Sequence, residues 1–188
     1  MNPSEMTDSQ VVIEVRERNK ELFGEIIRRY QTRLTHYLRK FIRQSDELED
    51  VLQVVFIKAY ENLHGFDVSR GFSAWIYRIA HNEAINHIRK NARVSVAIDE
   101  VEMVLADESI DVPRDFDRAL VQEQIEASLG KMKEKYREPL ILFLFEEKTY
   151  EEISDILRVP TSTVGTLLAR GKKILKEDLS SNGYGKQI

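Results

Sequence analysis

Hydroxyl and basic side chains gather near the C-terminal end of the sequence, within residues 161–173. Such groups donate hydrogen bonds to phosphate oxygens, and the first turn of a helix adds unpaired amides and a partial positive charge. The donors are Thr161, Ser162, Thr163, Thr166, Arg170, Lys172 and Lys173. This segment therefore predicts contacts with a nucleic acid, provided that one helix presents these side chains together.

The residues around these donors have the pattern of a helix-turn-helix. Thr149 and Glu152 have the spacing of a capping box, which predicts a helix that ends near Leu157. Residues 158–160 turn the chain, and Thr161 to Thr163 offer capping hydroxyls for a second helix. The apolar residues expected at the crossing are Ile153, Leu157, Val159, Val164 and Leu167. In such a motif the second helix lies in the major groove of DNA.

Two residues depart from the usual pattern of this motif. Arg158 stands in the turn, where glycine is common. Gly165 lies inside the second helix, where glycine costs about 1 kcal/mol of helix stability. The alternative interpretation is a helical hairpin packed in a core, with its basic end merely solvated. The apolar positions and the capping box together favour the DNA-binding motif.

Helical periodicity extends over most of the remaining sequence. Apolar stripes predict helices over residues 23–41, from about Asp46 to Leu63, and from about Phe72 to Lys90. Val54 and Ile57 lie off the stripe of the second helix, so that helix is either deeply buried or docks onto a partner. On the third helix Arg78, Asn82, Asn86 and Lys90 recur at intervals of four and share a polar face.

The C-terminal half predicts a helix marked by Val121, Ile125, Leu129 and Met132. Another follows from about Arg137 to Phe145, with Pro139 in its first turn. No segment alternates with period two for long enough to indicate a sheet. We therefore predict an all-α protein of two small helical domains. The expected boundaries are residues 1–92 and 118–180 for the domains, 93–117 for a linker and 181–188 for a tail.

Charge is distributed unevenly along the chain. The net charge is −4, and residues 93–117 alone hold two basic and eight acidic residues. Neither flanking domain is strongly basic, so nonspecific affinity for DNA should be weak and a larger partner should hold the chain there.

The chain has no cysteine, which fits a reducing cytoplasm. Its longest apolar stretch, Leu140 to Phe145, is too short to insert into a membrane, and its polar N-terminus is unlike a signal peptide.

Nothing in the sequence indicates catalysis. The four histidines do not have a metal-ligand spacing, and no nucleophile–base arrangement or carboxylate pair can be nominated. We therefore expect neither an enzyme nor a bound metal or cofactor.

Three stretches resemble the extracytoplasmic-function (ECF) group of bacterial RNA polymerase sigma factors. They are residues 46–60 (DELEDVLQVVFIKAY), 72–82 (FSAWIYRIAHN) and 150–164 (YEEISDILRVPTSTV). Their order, split by an acidic linker, covers almost the whole chain. The resemblance implies a region 2 domain and a region 4 domain that bring core RNA polymerase to promoter DNA, and it implies an inhibitory anti-sigma partner.

The resemblance also implies which residues of the first domain act. Asp50, Gln53 and Phe56 match the motif that docks on the polymerase clamp, and Val54 replaces the usual acid, so with Ile57 the docking face would be more apolar. The loop that captures a flipped base of the −10 element would contain Phe66, and Asn82 would help to read that base. Trp75, Tyr77 and Arg78 fit a platform for single-stranded DNA, and Asn86 and Lys90 extend the same surface. We expect Tyr77 and Arg78 to be exposed, whereas core packing explains Trp75 equally well.

In the second domain Arg170 matches a basic position that contacts the −35 element. Gly165 and Leu167 lack the basic side chains that the family often has there, so recognition would rest on shape and phosphate positioning. The acidic linker resembles the segment that the family threads through the RNA path of the polymerase, although a solvated tether fits its composition equally. Two other functions stay open: a different helix-turn-helix regulator, and a helical adaptor that binds only proteins.

Overall fold

The computed structural model describes residues 2–95 and 124–181, with side chains described up to residue 91 and again from 124. The described residues form helices and turns without a strand, which confirms the predicted all-α class. Within these residues eight α-helices follow one another: α1 (Asp8–Glu17), α2 (Phe23–Arg39), α3 (Ser45–Glu61), α4 (Phe72–Ser95), α5 (residues 124–130), α6 (Glu134–Leu144), α7 (Tyr150–Leu157) and α8 (Thr161–Ser181).

Helices α4 and α8 continue slightly past two of the expected segment boundaries, which themselves stay predictions. The predicted linker begins at residue 93, but α4 continues to Ser95, and residues 96–117 lie outside the described ranges. The tail was expected from residue 181, but α8 ends at Ser181, and residues 182–188 are not described. A helix that has been nucleated adds a residue at little cost, because each added residue also adds a hydrogen bond.

Helices α1 to α4 form the N-terminal module around a single apolar core. The predicted stripe of α3 is buried as expected, at Leu48, Val51, Leu52, Val55, Phe56 and Ala59. On α2 the buried residues repeat at three and four, which gives a continuous apolar face toward α3. Each fully buried aliphatic or aromatic side chain contributes about 1.5–3 kcal/mol, so this core is the main stabilising element of the module.

Helix α1 was not predicted from the sequence. Thr7 and Gln10 form a capping box at its N-terminus, with the Thr7 amide donating to the Gln10 side chain at 2.7 Å. Its buried residues, Val11, Val12 and Val15, are three β-branched side chains within ten helical residues. So short a segment of modest helix propensity gives a weak periodic signal, and its contacts with α2 stabilise it.

Helix α6 begins earlier than predicted, and its proline is internal. The helix starts at Glu134, so Pro139 is its sixth residue and cannot donate to the Lys135 carbonyl. Pro139 is itself buried beside Leu140 and Ile141. Because these residues anchor the middle of the helix in the core of the C-terminal module (α5 to α8), burial offsets the missing hydrogen bond.

Candidate nucleic-acid interface

The first helix of the predicted helix-turn-helix begins at a complete capping box. The Glu152 amide donates to the Thr149 hydroxyl at 3.2 Å, and the Thr149 amide donates to the Glu152 carboxylate at 2.9 Å. Both hydrogen bonds of the capping box are formed, so α7 starts at Tyr150, as the sequence predicted.

The turn between α7 and α8 places Arg158 in a left-handed backbone conformation, with φ 55° and ψ 44°. This is the conformation that glycine adopts most readily, and a residue with a side chain pays about 1–2 kcal/mol for it. Two hydrogen bonds hold the turn: the Ser154 hydroxyl donates to the Val159 carbonyl at 2.6 Å, and the Val159 amide donates to the Ser154 carbonyl at 3.2 Å. The small Ser154 side chain therefore closes the turn from within α7.

The helix crossing uses partly different residues from those predicted. Ile153 and Val164 are fully buried as expected, but Ile156 and Leu168 are the other core residues of the crossing. Leu157 and Val159 are half-buried and pack against this core, whereas Leu167 is only half-buried, so its prediction as a core residue was wrong. Leu167 lies beside the correct face, and the phase of two short helices is set by how they pack, not by spacing alone.

Helix α8 displays most of the predicted DNA contacts to solvent. Thr161, Ser162, Thr166, Arg170, Lys172 and Lys173 are exposed, whereas Thr163 is half-buried. The three hydroxyl residues Thr161 to Thr163 lie within the first turn, and not before it as capping residues. The Pro160 carbonyl accepts from the amides of Thr163 and Val164 at 2.8 and 3.1 Å, which closes this turn.

The basic end of α8 is organised by aromatic residues of α6. The Lys172 ammonium lies 4.1 Å from the centre of the Phe143 ring. A hydrogen bond from Arg170 lowers the pKa of the Tyr136 phenol. These contacts orient both cations, although their side chains are exposed.

Between the two cations Gly171 is buried where α8 meets α6. A methyl group at this position would lie 2.9 Å from Leu140 Cδ1 and 3.2 Å from the Tyr136 carbonyl oxygen. Glycine therefore sets the distance between the two helices. No pattern in the sequence indicated this role, because it depends on the distance to α6. At Gly165 of the same helix a methyl group would meet only Tyr150, at 3.7 Å.

The N-terminal module has a pocket of about 300 Å³ at the loop between α3 and α4. Its walls are Gly65, Phe66, Asp67, Arg70, Trp75 and Arg78, together with Asp155 of α7. Phe66 is only 4% exposed and packs against Phe72 and Trp75, with ring centres 5.3 and 5.0 Å away. Phe66 thus forms a fixed wall of the pocket, and the half-buried Trp75 both packs and lines it.

Helix α1 holds this loop, which sequence reasoning missed. The Arg16 guanidinium donates to the main-chain carbonyls of Leu63, at 2.8 Å from Nε, and of Phe66. The Ser9 hydroxyl donates to the Val68 carbonyl at 3.2 Å. Since main-chain carbonyls far along the chain are the partners, no residue pattern could have revealed these bonds.

Two residues expected to be exposed are covered. Tyr77 is 1% exposed, and its hydroxyl donates to the Glu146 carboxylate at 2.5 Å. Burial raises the pKa of the Tyr77 phenol, and the hydrogen bond to Glu146 adds to that effect. Arg78 is half-buried and donates to Asp155 at 2.9 Å. Their predicted exposure was wrong because α7 of the C-terminal module packs on α4. By contrast Asn82, Asn86 and Lys90 of the same polar face are exposed.

The predicted docking face on α3 is exposed, apart from one residue. Asp50 and Gln53 are open to solvent, and so are Val54 and Ile57, at 39% and 56%. Phe56 is only 8% exposed and packs in the core, so it does not lie on this exposed face, and its docking role stays a prediction. Phe56 follows the buried stripe of α3, which faces away from the other four residues.

The family models for Sigma-70 region 2 and Sigma-70 region 4 match residues 26–94 and 122–175. The ECF RNA polymerase sigma factor SigW of Bacillus subtilis is 30% identical over 185 residues, which cover 93% of this chain and 98% of SigW. The chain belongs to the ECF RNA polymerase sigma factors. The RNA polymerase sigma-H factor of Pseudomonas aeruginosa is 29% identical over 180 residues, covering 92% of this chain and 93% of that one.

Two solved structures share the fold of this ECF sigma factor. CnrH, in complex with the cytosolic domain of CnrY, has a TM-score of 0.69 at 22% identity and covers 93% of this chain and 97% of its own. The sigma factor RpoE of Bartonella quintana, in complex with the anti-sigma factor NepR, has a TM-score of 0.70 at 21% identity and covers 84% and 96%.

Family membership assigns the two modules of this sigma factor: the N-terminal one contains region 2 and the C-terminal one region 4. The chain acts in promoter-directed initiation of transcription with core RNA polymerase, and it belongs to a regulatory family.

In residues 2–95 and 124–181 no helix is long and apolar enough to cross a membrane. The same residues contain no group of three or more His, Cys, Asp or Glu side chains placed to hold a metal ion.

Proposed function

We propose that region 2 captures an unstacked base of the −10 element in the pocket beside Phe66, while α8 of region 4 reads the −35 element. The observation that carries this proposal is the pocket itself, which combines aromatic walls with the guanidinium groups of Arg70 and Arg78. Flipping a base out of the duplex costs a few kcal/mol, which aromatic stacking and hydrogen bonds to the base can offset.

The polar face of α4 extends this surface. Asn82, Asn86 and Lys90 are exposed, and they follow Arg78 at intervals of one helical turn. Asn82, nearest to Arg78, offers an amide that both donates to and accepts from a base edge. We assign Asn82 to base reading, and Asn86 and Lys90 to the neighbouring strand and its phosphates.

The −35 element would be bound through α8. Its exposed hydroxyls lie at the N-terminal turn, where free amides and the helix dipole favour a phosphate. Arg170, Lys172 and Lys173 supply charge further along, while Gly165 and Leu167 supply none. Fewer cations make phosphate positioning and DNA shape the larger part of recognition.

The exposed side of α3 is our proposed contact with core polymerase. Val54 and Ile57 form an apolar centre that Asp50 and Gln53 flank with polar groups. An apolar centre with a polar rim is the usual composition of a protein interface. The exposed Tyr60 lies on the same side of the helix and adds to that centre.

We further propose that an anti-sigma factor regulates the chain, that it works in the cytoplasm, and that it has no catalytic site of its own. Of the two structural neighbours, RpoE is in complex with an anti-sigma factor and CnrH with the cytosolic domain of CnrY. We keep residues 1–92 and 118–180 as the functional domains, and residues 93–117 as the acidic connection between them.

Run-off transcription with purified core polymerase, with and without this chain, tests the proposal. The Asn82→Ala variant should bind core polymerase normally but open promoter DNA poorly, as measured by permanganate reactivity of unpaired thymines. Gln31→Ala, an exposed change on α2, is the control. Transcription from specific start sites that does not need the chain would refute the function, and normal opening by Asn82→Ala would remove that residue from the site.

Phe66→Ala is a poor test of base capture. Because Phe66 is buried against two aromatic rings, its truncation should cost about 3–5 kcal/mol of stability. Loss of opening in that variant would report unfolding of the loop as much as loss of a base contact.

A further inference from the structure

We infer that region 4 shields the −10 pocket of its own chain, with the Asp155 carboxylate in its wall holding the guanidinium groups that DNA would otherwise contact. This inference rests on the proposed function of the pocket and adds its regulation. In the free chain the pocket is closed to the −10 element until region 4 moves away.

The contact lies inside the pocket. Asp155 is one of its lining residues, although it comes from α7 and the others come from the N-terminal module. Its carboxylate oxygen lies 2.9 Å from Arg78 Nη1 and 3.9 Å from Arg70 Nη1. A carboxylate and a phosphate bind guanidinium groups through the same charge-assisted hydrogen bonds, so one excludes the other.

Further carboxylates of region 4 contact region 2. Glu146 accepts from the Tyr77 hydroxyl at 2.5 Å, Glu138 lies 3.7 Å from His81, and Glu126 accepts from Lys40. Region 4 thus presents acidic groups to region 2, and Tyr77, one of the proposed DNA contacts, is among their partners. A polyanion such as DNA would meet the same donors.

One cation of region 4 completes the interface. The Lys148 ammonium donates to the Ser73 hydroxyl at 2.8 Å and lies 4.2 Å from the centre of the Tyr77 ring. Burial lowers the pKa of Lys148. With Glu146 on its hydroxyl and Lys148 on its face, Tyr77 is enclosed by region 4 and cannot stack on a base.

The closed arrangement affects the two promoter elements differently. The exposed residues of α8, from Thr161 to Lys173, remain open to DNA, whereas Tyr77 and Arg78 are covered. Binding of the −35 element therefore does not require opening, but capture of the −10 base does. The apparent affinity of the pocket for DNA is therefore its intrinsic affinity multiplied by the fraction of chains that are open.

Trp75 provides a direct measurement, because it is the only tryptophan and it lines the pocket. We expect Asp155→Asn to increase acrylamide quenching of Trp75 in the free chain. It should also tighten binding of a labelled single-stranded oligonucleotide, the non-template −10 strand of a promoter that the chain transcribes, by about two- to fivefold. Glu151→Gln, an exposed change one turn earlier on α7, should match the wild type.

The outcomes are separable. If Asp155→Asn leaves both quenching and oligonucleotide affinity at wild-type values, the closure is refuted. Greater quenching without tighter binding also overturns it, because the pocket would then open without admitting DNA. Run-off transcription by core polymerase saturated with the chain should be the same for the wild type and for Asp155→Asn. If the wild-type chain supports no transcription, the proposed function is refuted, but the quenching result still tests the closure.

Discussion

The Arg16 guanidinium donates to the main-chain carbonyl of Phe66 and so fixes the loop that forms one wall of the pocket to the first helix of the chain. The same side chain binds the Leu63 carbonyl at the start of that loop. One arginine therefore bridges both ends of the short segment from Leu63 to Phe66. The loop is held in shape before any DNA arrives, which lowers the entropy lost on binding.

We expect Arg16→Gln to loosen this loop while α1 stays folded. A glutamine amide cannot satisfy both carbonyls with charged donors, so the loss should be about 1–3 kcal/mol locally. Permanganate footprinting should show weaker promoter opening at unchanged affinity for core polymerase. Arg18→Gln at the exposed end of α1 is the matched control. If the two variants open promoters equally well, Arg16 has no positioning role.

Two glycines of α8 should respond oppositely to the same substitution. Gly171→Ala forces a methyl group to 2.9 Å from Leu140 and 3.2 Å from a main-chain carbonyl, so α6 and α8 must separate. We expect a loss of about 1–3 kcal/mol in chemical denaturation. Gly165→Ala has room for its methyl group and should gain up to about 1 kcal/mol from helix propensity. Equal effects of the two changes would contradict the close packing at Gly171.

Arg170→Ala should weaken binding of −35 duplex DNA by a similar factor for different sequences. The side chain is exposed, so the fold should be unaffected. Losing one phosphate contact should make the slope of log affinity against log salt shallower by about 0.9. Lys176→Ala, an exposed change beyond the proposed contacts, should leave the slope unchanged. A wild-type slope for Arg170→Ala would remove this arginine from the contact set.

Glu138 should make stability depend on pH. Burial raises the pKa of this carboxyl to about 7, with a smaller contribution from Glu134, whereas the ordinary value is 4.5. The ionised form is therefore disfavoured in the folded chain. That destabilisation is complete above about pH 7 and disappears as the pH falls below the ordinary value. The neighbouring His81 stays neutral in this range, because burial lowers its pKa to about 4.

The Glu138→Gln variant tests that sign. Its Tm should exceed that of the wild type by roughly 2–4 °C at about pH 8 and by clearly less at about pH 5. Glu151→Gln, which changes an exposed carboxylate, should show no such difference. A Tm increase that is the same at both pH values would contradict the raised pKa.

Local patterns were sufficient for several features that lie within one helix, although they missed α1 and the start of α6. The buried stripe of α3, the capping box of α7 and the exposed polar residues of α8 all follow from spacing along the chain. Arg158 is instructive in the same way, because the turn requires a left-handed residue there whatever its side chain is. Where two helices cross, their packing decides the phase, and Ile156 and Leu168, each next to a predicted residue, are also deeply buried.

The amino-acid sequence by itself determined the family, through its motifs. It also determined the all-α class, the two modules and the exposed faces of α3 and α8, because helical periodicity and capping are properties of neighbouring residues. Only the tertiary structure decided that Arg16 holds the loop at Phe66, that Gly171 sets the approach of α6 and α8, and that Asp155 reaches Arg78. Each of these depends on groups brought together from distant parts of the chain, and burial and hydrogen bonding between such groups leave no periodic trace in the sequence.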